Sequence, residues 1–418
     1  MAYHPGKVLH HALVTLLGIC VVFVVLGNNT AESTTYFVAT TGTDDNPGTS
    51  DRPWRNPQKC VSLGTPVAAG DTCLIGDGVY SANGPVVYVR KNSPAGTATS
   101  PITLKSQNRF GAVIEVPSVT DPNKNFGFYI TQPYYIIEGF DIRGTTSTVS
   151  SNHHGISANG ATGIIIRKNK IHHIGRTVCS TVLSAENGIV GLGDDAIVED
   201  NLFYTIGSLR NGENGCSTTK SQVLDHAIYI SNFTNVTIRR NIFYDVNRGY
   251  ALHVYTGSGS TANGLFVYNN VFADRSITNT PAAQILLAHT LNNVQIRNNI
   301  FYGPANTKGY GIDFYNTKTV QNVVLSHNLM NGTASTLINE YREPAAGVTE
   351  DTSNMYNTDP AFLNAGLRDY RLMAMSPAID KGTPVGLPFK GKAPDIGAHE
   401  FSEQDTASPR NPNELQIH

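Results

Sequence analysis

The chain has 418 residues, of which 15% are charged, and its formal net charge is −2. This balance excludes nucleic-acid binding driven by overall positive charge. Glycine is abundant, with 39 residues, and Gly and Asn interrupt segments rich in β-branched residues, a mixture typical of short strands and tight turns. No long segment shows an apolar stripe at helical spacing, so we predict an all-β protein.

Residues 1–33 have the pattern of a secretory signal peptide. Lys7 precedes an apolar run over 13–27, which ends in small and polar residues, and we expect cleavage within 27–33. The alternative is an uncleaved N-terminal membrane anchor, because residues 8–27 could just span a bilayer. Either way we expect a secreted or cell-surface protein, with no membrane contact beyond such an anchor.

Removal of the signal leaves four cysteines. An even count in an exported chain favours two disulfides, and local pairing predicts Cys60 with Cys73 and Cys179 with Cys216. Free buried thiols are the alternative.

A repeat runs through the middle of the chain. Six segments share an order of apolar and polar residues with an Asn at the same place, and the last three intervals between these Asn are 29 residues each. Phe140 occupies the matching place one repeat earlier. A period of this length with strand-like alternation, and without a leucine-rich pattern, predicts a parallel β-helix with three short strands per coil. The aligned positions are Asn169, Asn201, Asn241, Asn270, Asn299 and Asn328.

The repeated Asn is predicted to be structural. Asn tolerates the left-handed backbone conformation that a two-residue bend between strands needs. Stacked coils would also place Asn201, Asn241, Asn270, Asn299 and Asn328 over one another, so that their amides form a hydrogen-bonded ladder. A role for these residues as ligands is the alternative.

A further strand in each coil supplies a row of outward side chains. The predicted core residues of these strands are Ile156, Ile189, Ile228, Leu252, Ile285 and Ile312. Because side chains alternate along a strand, the next residues face outward: Ser157, Val190, Tyr229, His253, Leu286 and Asp313, with Tyr255 and Tyr315 two places on. The two longest connections, 175–186 and 207–225, contain Cys179 and Cys216, so a disulfide would join them beside this strand set.

The two ends of the chain resemble known families. The segment 36–80, YFVATTGTDDNPGTSDRPWRNPQKCVSL…AGDTCLIGDGVY, resembles the start of many secreted right-handed β-helix proteins related to pectate lyases. The segment 376–401, SPAIDKGTP…APDIGAHEF, looks like the terminal module of bacterial surface β-helix proteins called choice-of-anchor Q. We therefore expect N-terminal cap and first coils over 34–110, repeats over 111–345, a C-terminal cap or anchor-like module over 346–401 and a disordered polar tail over 402–418.

The resemblance implies an active site on the outer face of one sheet, in a groove walled by loops. β-Elimination on a uronate polysaccharide needs the sugar carboxylate neutralised, a base for the C5 proton and an acid for the leaving oxygen. His253 would be the base and Tyr229 or Tyr255 the acid, or the reverse, with Arg210, Lys220 or Arg248 neutralising the carboxylate. The predicted catalytic residues are His253, Tyr229 and Arg248, and the predicted substrate-binding residues are Arg210, Lys220, Tyr255, Asp313 and Tyr315.

Calcium is the cofactor that the sequence leaves open, with Asp225 and Glu186 as candidate ligands. His226 is predicted to pack at the entrance of its strand. The paired histidines lack the ligand spacing of a zinc site, and we predict turn and surface positions for them: His153, His154, His172 and His173.

The chain departs from the calcium-dependent pectate lyases that it resembles, which typically have an Asp-rich loop and a catalytic Lys or Arg on the sheet. Its aligned strands carry no Lys, and no DDG-type motif followed by Lys is present, so pectate lyase activity itself is disfavoured. A lyase for a different uronate polysaccharide is the main prediction, and an epimerase or glycoside hydrolase is an alternative. The competing class is a non-catalytic surface protein that binds glycan or builds a structure, in which outward Tyr and His simply favour strand formation. The expected partner is a polysaccharide, and we expect a monomer.

Overall fold

The structure is a computed structural model. It describes residues 1–2, 33–149, 151–179, 184–209, 211–217, 224–247, 249–257, 261–273, 283–303, 310–332, 335–339 and 346–403. The predicted signal peptide and the polar tail lie almost entirely outside these ranges. Ser33 to His418 form one compact unit. A helix with the length and hydropathy of a membrane span is absent from the described part of the chain.

The unit is a right-handed parallel β-helix, as predicted, and its coils present three sheets. The first sheet contains Val87–Val89, Phe126–Ile130, His153–Ser157, Glu186–Val190, His226–Ile230 and Leu252–Tyr255. The third sheet contains Gly78–Tyr80, Ala112–Val116, Asp141–Gly144, Lys170–His172, Leu202–Ile206, Ile242–Val246, Val271–Ala273, Ile300–Tyr302 and Leu329–Asn331.

The second sheet lies between these two in chain order. It contains Thr35–Val38, Thr72–Ile75, Ile102–Ser106, Tyr135–Glu138, Ile165–Arg167, Ile197–Glu199, Phe233–Arg239, Ala262–Tyr268 and Val348–Glu350. Two long strands, Ile285–Arg297 and Ile312–Ser326, run from the first sheet into the second. Outside the solenoid an antiparallel pair forms from Phe362–Asn364 and Asp369–Leu372, and short 3-10 turns cover Pro57–Val61, Glu213–Gly215 and Ala365–Leu367.

The hydrophobic core fills the solenoid between the three sheets. The predicted inward row of the first sheet is confirmed, since its members pair in register and are fully buried. Inside the third sheet, Phe203, Phe243, Phe272 and Phe301 stack with centroid distances of 4.8, 4.9 and 5.2 Å. These distances are close to the spacing between adjacent strands, so each coil continues the aromatic column of the one before.

The predicted asparagine ladder is present at the bend between the second and third sheets. Each Nδ2 donates to the Oδ1 of the next Asn at 2.9 to 3.1 Å, and each backbone N–H donates to the same oxygen. Asn354 extends the ladder by one coil. The sequence did not indicate Asn354, because it lies 26 residues after Asn328 rather than 29.

The predicted backbone conformation of the Asn residues is wrong. The left-handed residue is the one before each Asn, with φ between 52° and 58° at Lys168, Asp200, Arg240, Asn269, Asn298 and His327. The Asn itself is free of this strain and points its amide into the stack, where Nδ2 also donates to a carbonyl of the preceding coil, as from Asn270 to Ile238. The ladder therefore satisfies backbone groups that the bend would otherwise leave unpaired.

Both predicted disulfides are confirmed. Cys60 bonds to Cys73, and Cys179 bonds to Cys216. The second bridge joins two long connections in successive coils. One connection follows the third-sheet strand Lys170–His172, and the other follows the third-sheet strand Leu202–Ile206.

The C-terminal segment covers the outer face of the third sheet. Leu202, Ile242, Val271, Ile300 and Leu329 form an apolar outer row that packs against residues from 362 to 398. Asn269 Nδ2 donates to the carbonyl of Asp395, and Asn298 Nδ2 donates to that of Thr383. The start of the predicted C-terminal region is still part of the solenoid, because Val348–Glu350 pairs in parallel with the second-sheet part of Ile312–Ser326.

Candidate active site on the first sheet

The outward row of the first sheet brings the predicted catalytic side chains together. Tyr229 pairs in register with His253, which pairs with Leu286, which in turn pairs with Asp313. Parallel strands lie about 4.8 Å apart, so residues far apart in sequence become neighbours. The juxtaposition of Tyr229 and His253 follows directly from the predicted coils.

His226 orients His253. His226 is 1% exposed, and its Nδ1 lies 3.1 Å from the backbone nitrogen of Tyr250, which can only donate. Its Nε2 therefore carries the proton and donates to His253 Nδ1 at 2.7 Å. The prediction that His226 simply packs at its strand entrance missed this hydrogen bond.

Gly249 permits the close approach that this arrangement needs. A Cβ at Gly249 would lie 1.5 Å from the carbonyl oxygen of Asp225 and 2.9 Å from His226 Nδ1. Any side chain would push the backbone away and remove the donor at Tyr250. The glycine in the sequence NRGYALHVY is the signal that could have indicated this contact.

His253 is a neutral hydrogen-bond donor. Because its Nδ1 accepts from His226, its proton is on Nε2, and this buried nitrogen has no hydrogen-bond partner among the described residues. Burial lowers the pKa of His253 to about 3. Burial, followed by the nearby His253, lowers the pKa of His226 well below its ordinary value. An occupied Nδ1 and a protonated Nε2 leave His253 without a lone pair for the predicted role of base, and its alternative role as acid stays a prediction.

Two tyrosines flank this donor. The ring of Tyr229 lies 5.1 Å from that of His253, and the ring of Tyr255 lies 5.8 Å away, both edge to face. Neither hydroxyl has a partner in the part of the chain that the structure describes. Burial, and secondarily Tyr255, raises the pKa of Tyr229 above its ordinary value, so Tyr229 keeps its proton at neutral pH.

Asp313 does not face the groove as predicted. It is fully buried, and its two oxygens accept from the Tyr250 hydroxyl at 3.0 Å and from Asn339 Nδ2 at 2.7 Å. Asp313 thus holds Tyr250, whose backbone orients His226. Tyr315, two places further, is 45% exposed, and its predicted role in binding substrate stays a prediction.

The three predicted cationic residues, Arg210, Lys220 and Arg248, lie outside the described residues. Their roles stay predictions.

Asp225 and Glu186 do not fit a calcium site. Asp225 Oδ1 accepts from the backbone N–H of Glu186, and its Oδ2 accepts from the N–H and hydroxyl of Ser208. Glu186 Oε2 lies 2.8 Å from His153 Nδ1. Both oxygens of Asp225 therefore accept hydrogen bonds from N–H or O–H groups, whereas a calcium site would surround the ion with oxygen ligands. Among the described residues, no group of three or more His, Cys, Asp or Glu could hold a metal ion.

Three of the paired histidines are buried rather than exposed, and the prediction is wrong for them: His153, His154 and His172 are 4%, 8% and 8% exposed. The cause is packing between coils, as where the His154 ring lies 5.3 Å from that of Phe126. His173 is a turn residue with φ of 55°.

We expect the buried His154 to make stability depend on pH. Burial lowers the pKa of His154 to about 3. Below about pH 6.5 this side chain is therefore protonated in the unfolded chain but still neutral in the folded chain. Its contribution is complete above pH 6.5 and falls as the pH drops, by about 2 kcal/mol at pH 5. Urea unfolding measures the free energy of unfolding at about pH 7.5 and at about pH 5. Between these two pH values, that free energy should fall less for His154→Gln than for the wild type. Equal losses would contradict the neutral buried state.

The fold and the groove define a class: a right-handed parallel β-helix with a histidine and two tyrosines on one outer sheet face. The chain belongs to the right-handed β-helix family, since the family described as the right handed beta helix region matches residues 77–301.

Solved structures that are similar to this chain include two lyases and an epimerase. A pectate lyase, Pel9A, is 16% identical with a TM-score of 0.53, over 88% of this chain and 97% of its own. An alginate lyase from Paenibacillus sp. str. FPU-7 is 17% identical with a TM-score of 0.40, over 77% and 97%. The A-module of the mannuronan C-5 epimerase AlgE6 from Azotobacter vinelandii is 14% identical with a TM-score of 0.33, over 69% and 91%. A search of curated proteins found no match.

Proposed function

We propose that the protein is an extracellular enzyme that cleaves a uronate-containing polysaccharide by β-elimination in the groove over the first sheet. The observation that carries this proposal is the buried N–H of His253, which has no hydrogen-bond partner among the described residues and belongs to a ring that has the Tyr229 and Tyr255 rings 5.1 and 5.8 Å away. Two disulfides support an extracellular location. The solved pectate lyase of similar fold supports a carbohydrate substrate.

The reaction sets three requirements. A base removes the C5 proton, which is acidified by the adjacent carboxylate; the electron pair forms the C4–C5 double bond; and the C4–O bond breaks. The leaving oxygen takes a proton, so the products are an unsaturated uronate end and a new hydroxyl end. Negative charge grows on the carboxylate oxygens as the C5 proton leaves, and a donor placed there lowers the barrier.

His253 Nε2–H suits the carboxylate. A buried donor without an acceptor costs about 1–3 kcal/mol, and a substrate oxygen would satisfy it. A neutral imidazole that donates to a developing oxyanion keeps its function over a wide pH range. The hydrogen bond from His226 prevents His253 from presenting a lone pair instead.

The tyrosines supply the proton transfers. Tyr229, whose raised pKa keeps it protonated, donates to the leaving glycosidic oxygen. The ring of Tyr255 also lies beside that of His253, and Tyr255 in its phenolate form is assigned as the base for the C5 proton. Arg210, Lys220 and Arg248 are proposed to neutralise the carboxylate, with Tyr315 as a platform on which a sugar ring stacks.

A lyase assay tests the function directly. The purified protein is incubated with polygalacturonate, polymannuronate, polyguluronate and glycosaminoglycans, with and without calcium, and the ultraviolet band of the unsaturated product is followed. We expect a rise on at least one polymer without added calcium. Absence of the band on all of them contradicts the lyase. Deuterium uptake at C5 in heavy water would then indicate an epimerase, and retarded migration in gels containing the polymer, without either change, would indicate a binding protein.

A further inference from the structure

A serine, a histidine and a glutamate meet at a different place on the solenoid. Ser118 follows the third-sheet strand Ala112–Val116, and His153 and Glu186 begin two adjacent first-sheet strands, where they pair in register. The strand that carries His253 is the third one after the strand of His153, so these two strands lie about 14 Å apart at the usual strand spacing.

The three side chains form a relay of hydrogen bonds. Ser118 Oγ lies 2.7 Å from His153 Nε2, and His153 Nδ1 lies 2.8 Å from Glu186 Oε2. Glu186 is fully buried and His153 is 4% exposed. The carboxylate accepts the Nδ1 proton, so the Nε2 lone pair faces the serine hydroxyl. This is the order of nucleophile, base and orienting acid that activates a serine.

The surrounding structure holds this relay in place. Asp225 Oδ1 accepts from the backbone N–H of Glu186 and thereby fixes the start of its strand. Asn125 binds the backbone N–H of Val119 through Oδ1 and the carbonyl of Val119 through Nδ2, which fixes the chain immediately after Ser118. Geometric restraint on both ends of the relay is what catalysis by a serine requires.

Ser118 is accessible to solvent. It is half-buried and lines an open depression of about 450 Å³ together with Ser81, Asn83, Thr145 and Ser147. Hydroxyl and amide groups of this kind suit an oxygen-rich ligand such as a sugar. The backbone N–H of Ser118 has no partner in the described ranges, and this group commonly stabilises the oxyanion in serine hydrolases.

We propose that Ser118, His153 and Glu186 form a second catalytic centre, which hydrolyses acyl esters, such as acetyl esters, on sugar hydroxyls. The ester chemistry follows from the relay alone, whereas the choice of a sugar ester rests on the proposed function. Deacylation of the same polymer would expose hydroxyl groups that a bulky ester shields.

The reaction balances with water as the co-reactant. Ser118 Oγ bonds to the ester carbonyl carbon, and its proton passes to His153 Nε2. The carbon–oxygen bond to the sugar breaks, and the sugar oxygen takes that proton. Water then attacks the acyl-serine and gives its proton to His153, which returns it to Ser118 Oγ as the free carboxylic acid leaves.

The test uses the full chain, a fluorophosphonate probe, 4-nitrophenyl acetate and acetylated polygalacturonate and alginate. We expect the probe to label Ser118, as located by peptide mass spectrometry, and Ser118→Ala to lower ester hydrolysis about 10³-fold and abolish the label. Ser62→Ala, at a half-buried serine outside both sites, should retain label and rate.

The outcomes separate the two functions. An unlabelled wild-type protein that hydrolyses no ester overturns the second centre, whatever the ultraviolet lyase assay shows. Full activity in Ser118→Ala overturns it as well. Hydrolysis of 4-nitrophenyl acetate with no acetate released from either polymer supports the nucleophile and overturns the sugar-ester substrate.

Discussion

Replacement of His253 with alanine is expected to lower kcat/KM about 10³-fold on whichever uronate polymer the wild-type protein cleaves. The loss removes the one buried donor aligned by His226, while Tyr229 and Tyr255 remain. His253→Gln keeps an N–H near the same position and should recover about tenfold of the lost activity. Ultraviolet detection of the unsaturated product gives kcat/KM for each variant.

A matched control shows whether the loss is specific. His327 is another partly buried histidine with a hydrogen-bond partner, Ser353, at the opposite bend of the solenoid. His327→Ala should leave kcat/KM within about twofold of the wild type, since it touches neither tyrosine. If His253→Ala retains more than a tenth of the activity, the assigned site is wrong.

Replacement of Asn270 with alanine should lower the free energy of unfolding by about 3–5 kcal/mol. Its side chain is fully buried, donates to Ile238, Tyr268 and Asn299, and accepts both the backbone and side-chain N–H of Asn241. Alanine leaves several buried backbone groups without partners. Equilibrium unfolding in urea, followed by circular dichroism, measures the change.

Asn292 provides the control for the ladder. Its Nδ2 donates to Asn263 Oδ1 on the neighbouring coil at 2.8 Å, but the pair is only partly buried. Asn292→Ala should cost less than about 1 kcal/mol, because water can replace the lost partner. Equal costs at Asn270 and Asn292 would show that the ladder does not stabilise the coils.

The sequence predicted the coils because their spacing repeats and their strand parity is constant. Once Asn241, Asn270 and Asn299 are one coil apart, the pairing of Tyr229 with His253 follows from alternation along a strand. The left-handed residue could not be assigned, because a constant spacing does not distinguish an Asn from the residue before it.

Contacts between coils of unequal length could not be predicted. The Tyr250 hydroxyl reaches Asp313, 63 residues later, across the strand that carries Leu286. Ser118 reaches His153 over 35 residues. Neither pair has a fixed spacing, because connections that differ in length between coils lie between its two members.

The order of residues after the ladder Asn residues indicates that the outer face of the third sheet is covered. From Asn201 to Asn328 each ladder Asn is followed by two apolar residues, as in Asn241-Ile242-Phe243, whereas Asn169 is followed by Lys170. In a strand, such neighbours face opposite sides. One must face outward, and the buried state of Ile242 shows that the C-terminal segment protects it.

The state of His253 tests the account of the active site most directly. Nitrogen chemical shifts of ¹⁵N-histidine-labelled protein, assigned with His253→Gln, report which ring nitrogen carries the proton. We expect a protonated Nε2 and an unprotonated Nδ1 on His253, unchanged from about pH 8 to about pH 5 because its pKa is about 3. A proton on Nδ1, or titration near the ordinary pKa of about 6.5, would contradict the assignment of His253 as a fixed neutral donor.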